Sequence, residues 1–241
     1  MTNARLDQKL AAMGLVVSRS QAESQIKLGQ VTVNGNVVTK PGMQVRDSDD
    51  IRLNATDQYV SRAGLKLASV AELFNLDFRG KIVLDVGSST GGFTDYALRH
   101  GATKVIAVEV GTDQLHPSLH GNPQIELHEK TDIRDFSTDQ IIDIVVADVS
   151  FISLREILPR VAKLSNAKTQ IVVMVKPQFE AGNDNLKHKG VIKNDAMRRD
   201  ILKNFEQWTA QQFRIDAKAD SAVSGAKGNK ERFYVLYKLA R

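Results

Sequence analysis

An α/β fold with a mostly parallel sheet is predicted for most of this chain, preceded by a small α+β unit. Three observations predict it. The runs KIVLDVG (81–87), KVIAVEVG (104–111), IDIVVADVS (142–150) and QIVVMVKPQF (170–179) are too continuously apolar for strands exposed on one face. They read as strands buried on both faces. Helical patterns stand between them, and strand–helix alternation builds a parallel sheet with helices on both sides. Before residue 59 the pattern changes to short helices and short strands around an Asn-Gly turn.

The elements follow in order. In RLDQKLAAMGL, Leu6, Leu10, Met13 and Leu15 approximate one apolar face, and Gly14 can stop the helix. Ser18 is a candidate N-cap for a second helix, with Ala22, Ile26 and Leu28 inward and Gly29 as its stop. VTV-NG-NVV reads as a hairpin turning at Asn34-Gly35, and VRDSDDIRL supplies one more short strand. The polar stretch LNATDQYVS is the candidate linker, so the predicted domains are 1–58 and 59–241. Within the second, GGFTDYALRHG, SLREILPRVAKLS and NDAMRRDILKNFEQWTAQQF are the helical segments, with Trp208 read as core packing. The alternation stops at the end. RIDAKADSAV and ERFYVLYKLA have no helical pattern between them, so an antiparallel final pair is expected.

Composition narrows the function classes. The 241 residues include no cysteine, which excludes disulfides and thiolate metal sites. No apolar signal core opens the chain and no run approaches the ~20 residues of a membrane helix, so a soluble, cytoplasmic protein is expected. No metal site is predicted. The net charge of +5 is compatible with nucleic acid without requiring it. Aromatic content is 6%, which favours contacts to phosphate and backbone shape over a large stacking platform.

Chemistry concentrates where strands end. DVGSSTGGF (85–93) passes from a strand through a glycine turn into a helix, and glycine permits close backbone approach to a ligand. Its G-x-x-x-G-G spacing is neither the dinucleotide fingerprint nor a Walker loop. Glu109 ends the second strand, where an acid can hold a ribose hydroxyl pair. Asp132, in EKTDIRD ahead of the run at 142–150, could meet an adenine amino group; a solvated loop acid is the plain alternative. Asp148 and Lys176 end neighbouring strands on the same sheet edge as the glycine turn. A simple ion pair would explain them. With Lys66 in SRAGLKL and Glu231 at the start of the last strand, however, two amines and two carboxylates can converge. That set suits deprotonation of a weakly acidic hydroxyl, because burial and a second cation lower a lysine's proton affinity. The preferred assignment is Lys176 as base and Lys66 as orienting group, although spacing alone does not separate them. The basic stretch 183–193 reads equally as a loop that touches phosphates or as a solvated one.

DVGSSTGGFTD, ADVSFISL and VKPQFEAG, in that order, resemble the TlyA family of RNA methyltransferases, also labelled hemolysin A and related to FtsJ-type ribose methyltransferases. The N-terminal RLDQKLAAMGLVVSRSQAESQIKLGQVTVNGNVVTKPG resembles the S-four RNA-binding domain. Together the two matches cover nearly the whole chain. The resemblance implies a Rossmann-like, S-adenosylmethionine-dependent methyltransferase sheet behind a small RNA-binding domain, and a Lys-Asp-Lys-Glu tetrad falling on Lys66, Asp148, Lys176 and Glu231. The implied cofactor contacts are Asp85, Gly87, Ser89, Gly91, Gly92, Phe93, Glu109, Asp132 and Asp148. Related enzymes often carry aspartate where this chain has Glu109. Arg5, Arg19 and Lys27 are the implied RNA contacts, within a segment (1–66) of net charge +3. The implied activity is 2′-O-methylation of cytidine in ribosomal RNA. The rivals are a nicotinamide-dependent oxidoreductase on a similar sheet, and a hemolysin-like RNA-binding or membrane-lytic protein without the chemistry.

Overall fold

The small unit is built around β2 (Val31–Val33), which pairs antiparallel with β3 (Asn36–Val38) and β5 (Ile51–Leu53). The structure, a computed structural model, describes residues 3–16, 19–27, 29–54, 59–181, 190–225 and 227–239. The expected N-cap Ser18, inward Leu28 and loop residues 183–189 lie outside the described residues, as do linker residues 55–58. Both hairpin turn residues have positive φ, 51° at Asn34 and 80° at Gly35, the geometry that matches strand twist in a two-residue turn. Helices α1 (Leu6–Ala12) and α2 (Arg19–Lys27) close over the sheet, and Leu6, Leu10, Ala22, Ile26 and Val31 are fully buried. Met13 departs from the predicted face and is 46% exposed. The helix has ended at Ala12, and the chain turns away at Gly14, where φ is 69°.

VRDSDDIRL gives two strands rather than one. β4 (Gln44–Arg46) pairs with β1 (Asn3–Arg5), whereas β5 joins the β2 sheet. Asp49 separates them by accepting a hydrogen bond from the Arg46 amide at 2.7 Å, which closes a turn.

The second unit is a seven-stranded sheet in the order β11-β12-β10-β9-β6-β7-β8. Its strands are β6 (Ile82–Val86), β7 (Lys104–Val108), β8 (Ile125–His128), β9 (Ile144–Ala147), β10 (Gln170–Val175), β11 (Phe213–Asp220) and β12 (Arg232–Lys238). The pairs β6–β7, β7–β8, β6–β9 and β9–β10 are parallel, while β10–β12 and β11–β12 are antiparallel. The strands are shorter than the apolar runs, and Glu109, Asp148 and Lys176 each stand just past a strand end. Adjacent residues enter opposite cores: Leu84, Val173 and Tyr234 pack on one face, and Val83, Val172 and Phe233 on the other. That two-sided burial is why the runs show no alternation. Helices α3 (Arg62–Ala71), α4 (Gly92–Arg99), α5 (Leu154–Leu164), α6 (Pro177–Glu180) and α7 (Asp195–Thr209) complete the unit. Trp208 is partly buried and packs on the α7 side of the core.

Tyr59, the first residue of the second predicted domain, belongs to the packed core rather than to solvent. It is 3% exposed, its ring lies 5.3 Å from that of Tyr96, and its carbonyl accepts a hydrogen bond from Gln21 of α2.

Candidate active site

Parallel strands bring the ends of β6, β7, β9 and β10 to one edge, and the neighbours of β6 diverge there into a crevice. A cavity of about 390 Å³ occupies it, lined among others by Gly87, Ser89, Glu109, Asp132, Asp148 and Phe151. A smaller one of about 140 Å³ is lined by Asp85, Gly87, Ser89, Phe93, Asp148, Ser150 and Lys176. Gly87, Ser89, Asp148 and Ser150 face both, so the two volumes form one site with Lys176 at its inner end.

The glycines divide into two roles. Gly87 (φ 76°) lines both cavities, and a Cβ there would stand 3.1 Å from Val149. Gly91 and Gly92 line neither. A Cβ on Gly91 (φ 84°) would fall 2.5 Å from Leu119 and 2.7 Å from Leu115, and one on Gly92 would strike Ser61 and Ala63. Their missing side chains make room for neighbouring protein and so set the position of α4.

Glu109 is 7% exposed and already holds the turn together. Its carboxylate accepts from the Ser89 amide at 2.9 Å and from the Gly111 amide at 2.8 Å. Asp132 lies on the cavity wall and is held by Arg134 at 2.6 Å, which keeps its carboxyl below the ordinary carboxylate range. Asp85 is 1% exposed. Burial pushes its carboxyl up to about 7, against the Thr94 hydroxyl donating at 2.7 Å, and the Asp148 charge adds to the rise.

Lys66 and Lys176 are each 8% exposed. The Lys176 ammonium lies 2.6 Å from Asp148 Oδ1, off the hydrogen-bonding direction, and donates to Ser150 Oγ at 2.7 Å. Lys66, from α3, donates to Glu231 Oε2 at 2.5 Å. The β10–β12 register joins the two pairs: Val175 stands opposite Arg232, so Lys176 and Glu231 are the next residues on each side. Four charges from four distant segments thus meet at one edge as two buried ion pairs. Among the described residues no cluster of His, Asp or Glu could hold a metal.

Two features went unread in the sequence. Ser150 partners Lys176, and Phe151 is 90% exposed with φ 65°, its ring 5.2 Å from that of Phe179. Both depend on loop conformation, for which a single sequence carries little signal.

In the small unit, Arg5 and Arg19 converge on Asp7. Arg5 donates from Nε and Nη2 at 3.0 Å and Arg19 from Nε at 2.8 Å. Both arginine side chains remain about half exposed, at 41% and 51%. The side chain of Lys27 lies outside the described residues.

Residues 59–238 match the FtsJ-like methyltransferase family, and residues 4–51 match the S4 domain. Hemolysin A of Brachyspira hyodysenteriae is 38% identical over 232 residues, covering 94% of this chain and 97% of its own. The 16S/23S rRNA (cytidine-2'-O)-methyltransferase TlyA of Mycobacterium tuberculosis is 36% identical over 242 residues, covering 97% of this chain and 89% of its own. A solved protein described as a hemolysin, from Streptococcus thermophilus, superposes with a TM-score of 0.73 at 34% identity, over 99% of this chain and 89% of its own. The fold, the strand-end site and these matches along most of its length agree: the chain belongs to the FtsJ-like methyltransferases, among the S4-domain proteins of the TlyA and hemolysin A group.

Proposed function

We propose that this protein is a cytoplasmic RNA methyltransferase that moves the methyl group of S-adenosylmethionine onto a ribose 2′-hydroxyl, that of cytidine in ribosomal RNA. The observation that carries the reading is the buried Lys176–Asp148 pair in the wall of a two-part cavity whose other end holds Glu109 and Asp132. In this reading residues 1–58 dock structured RNA, with Arg5, Arg19 and Lys27 toward phosphates, and residues 59–241 carry out the transfer. The relatives' names supply the substrate class; the site's chemistry is consistent with it.

The residues present fit the cofactor. The larger cavity has the size of a small-molecule site. Ser88 lines the smaller cavity, its buried Oγ without a hydrogen-bond partner among the described residues, and Gly87 leaves the strand end open. Glu109 Oε1 accepts from both the Gly111 amide and Gln114 Nε2, whereas Oε2 accepts from the Ser89 amide and keeps a second lone pair that can accept from a ribose hydroxyl. Asp132 suits the amino group of an adenine. When bound, S-adenosylmethionine supplies an electrophilic methyl group, which leaves positioning and proton transfer to the protein.

Lys176 Nζ, once it has released its own proton, takes that of the 2′-hydroxyl, and Asp148 stabilises the ammonium that results. Lys66 Nζ, held by Glu231, offers positive charge to the developing oxyanion. Phe151, exposed on the wall of the larger cavity, gives the nucleotide base an apolar face on which to rest. Lys176→Ala should lower methyl transfer to ribosomal RNA by at least about 100-fold. Cofactor affinity by calorimetry should stay near wild type. Wild-type turnover in that variant would remove Lys176 as the base. Methylation mapped to a base rather than a 2′-oxygen would overturn the reaction itself.

A further inference from the structure

We infer that Glu180 is a positioning residue for the transfer: its carboxylate straps the segment after β9, which carries Asp148, to the segment after β10, which carries Lys176. The inference rests on the function proposed above and adds to it a residue outside the four-charge site.

Helix α6 is a single turn, and both of its ends reach across to the same stretch of chain. At one end Lys176 meets Asp148 and Ser150 at 2.6 Å and 2.7 Å. At the other, Glu180 accepts from the Leu154 amide at 2.6 Å and from Ser153 Oγ at 2.7 Å. Phe179 packs on Phe151 between them. The link between the two ends is stiff. Pro177 fixes its own φ, and the Phe179 and Glu180 amides both donate to the Lys176 carbonyl, at 2.9 Å and 3.3 Å.

The stretch it holds needs holding. After the Asp148 amide, which donates to the Val86 carbonyl of β6 at 3.3 Å, residues 149–153 lie outside any strand, and Phe151 adopts a left-handed conformation that a bulky side chain disfavours. Glu180 is not required simply to start α5, because Ser153 already caps that helix by accepting from the Arg155 amide at 3.1 Å. Nor is the carboxylate cheaply placed. Its side chain is 1% exposed and the nearest guanidinium, on Arg155, stands 3.7 Å away. Burial pushes its carboxyl above the ordinary range despite the hydrogen bonds it accepts. What it adds beyond a helix cap is the tie between two strand-end segments. The distance from Lys176 Nζ to its partner acid depends on that tie.

Two substitutions separate reach from charge. Glu180→Asp keeps the charge and shortens the arm by one methylene, so it cannot meet both donors. Glu180→Gln keeps the arm and removes the charge. For folded protein below its melting temperature, Glu180→Asp should lower kcat about 30-fold, since small misplacements at a reacting centre are costly. It should leave KM for S-adenosylmethionine within about twofold and displace the midpoint of the rising limb of kcat against pH. Glu180→Gln should keep kcat within about threefold of wild type with that midpoint unmoved. Wild-type kcat in Glu180→Asp, a Gln variant slower than the Asp variant, or an unmoved midpoint in Glu180→Asp would each overturn the strap. Wild-type turnover is the separate control. If the wild type methylates no RNA, the proposed function fails. The strap is then judged by the crystal structure of Glu180→Asp: separation of Lys176 from Asp148 supports it and an unchanged pair overturns it.

Discussion

Asp7 in the small unit and Asp85 in the large one are the same side chain at nearly the same burial, 0% and 1% exposed. Their acidities nevertheless move in opposite directions. Burial raises both, but around Asp7 the guanidinium groups of Arg5 and Arg19 more than offset it and hold the carboxyl down at about 2. Around Asp85 the local donor is the neutral Thr94 hydroxyl and the nearby charges are Asp148 and Glu109, so it rises to about 7. Both are closed to solvent, but Asp85 lies deeper in the molecule and lacks a neighbouring cation, and both differences favour its protonated form. The contrast extends to the roles proposed. At Asp7 the acid is hidden and its cations face solvent with N–H groups to spare. At Lys176 and Lys66 the cations themselves are withdrawn from solvent.

The sharpest way to break the contrast is to strip Lys176 of its counter-charge. Asp148→Asn should reduce methyl transfer about 1,000-fold with RNA binding retained, read by single-turnover assay and filter binding. Asp85 offers the next largest effect. Its folded value lies above its ordinary value of 3.8, so its contribution to stability is full below that value and is lost as pH rises through about 7. Asp85→Asn should therefore raise stability by on the order of 2 kcal/mol at pH 8 and leave it unchanged at pH 4, measured by denaturant unfolding. Asp7 runs the other way. Its folded value is depressed, so its contribution is present above 3.8 and is lost as pH falls through about 2. Asp7→Asn should cost about 1 kcal/mol at pH 7, the half-exposed arginines limiting the size, with the difference vanishing near pH 2. The smallest effect belongs to the arginines. Arg19→Ala should weaken RNA binding by a few-fold and reduce the slope of log affinity against log salt by about 1.

The parallel strands were legible because two-sided burial writes an unbroken apolar run, as in IVVMV. β8 was absent from those runs because it is an edge strand with intermediate burial, and Glu126 within it pairs with Lys104. β1 and β4, at three residues each, are too short to carry a pattern, and their pairing depends on chain that lies far apart in sequence. The strand-end charges at Asp148 and Lys176 could be read, because a strand's end is visible where its apolar run stops. Glu180, Ser150 and the conformation of Phe151 could not. Each matters through where a loop returns, and a single sequence does not encode that locally. The glycines at 91 and 92 were read as letting backbone approach a ligand; their missing side chains also accommodate Leu115, Leu119 and the start of α3, which the sequence did not reveal.

Strand β12 lies between β10 and β11 and is the last of the three to be synthesised. A nascent chain that has passed β11 therefore carries every charge of the site except Glu231, while the outer edge of β10 still lacks its neighbour. Lys66 has no carboxylate to meet until that final insertion. Insertion of β12 and arrival of Glu231 consequently come in the same step, so a chain stopped before Glu231 would lose the sheet's closure and the Lys66 counter-charge together rather than one after the other.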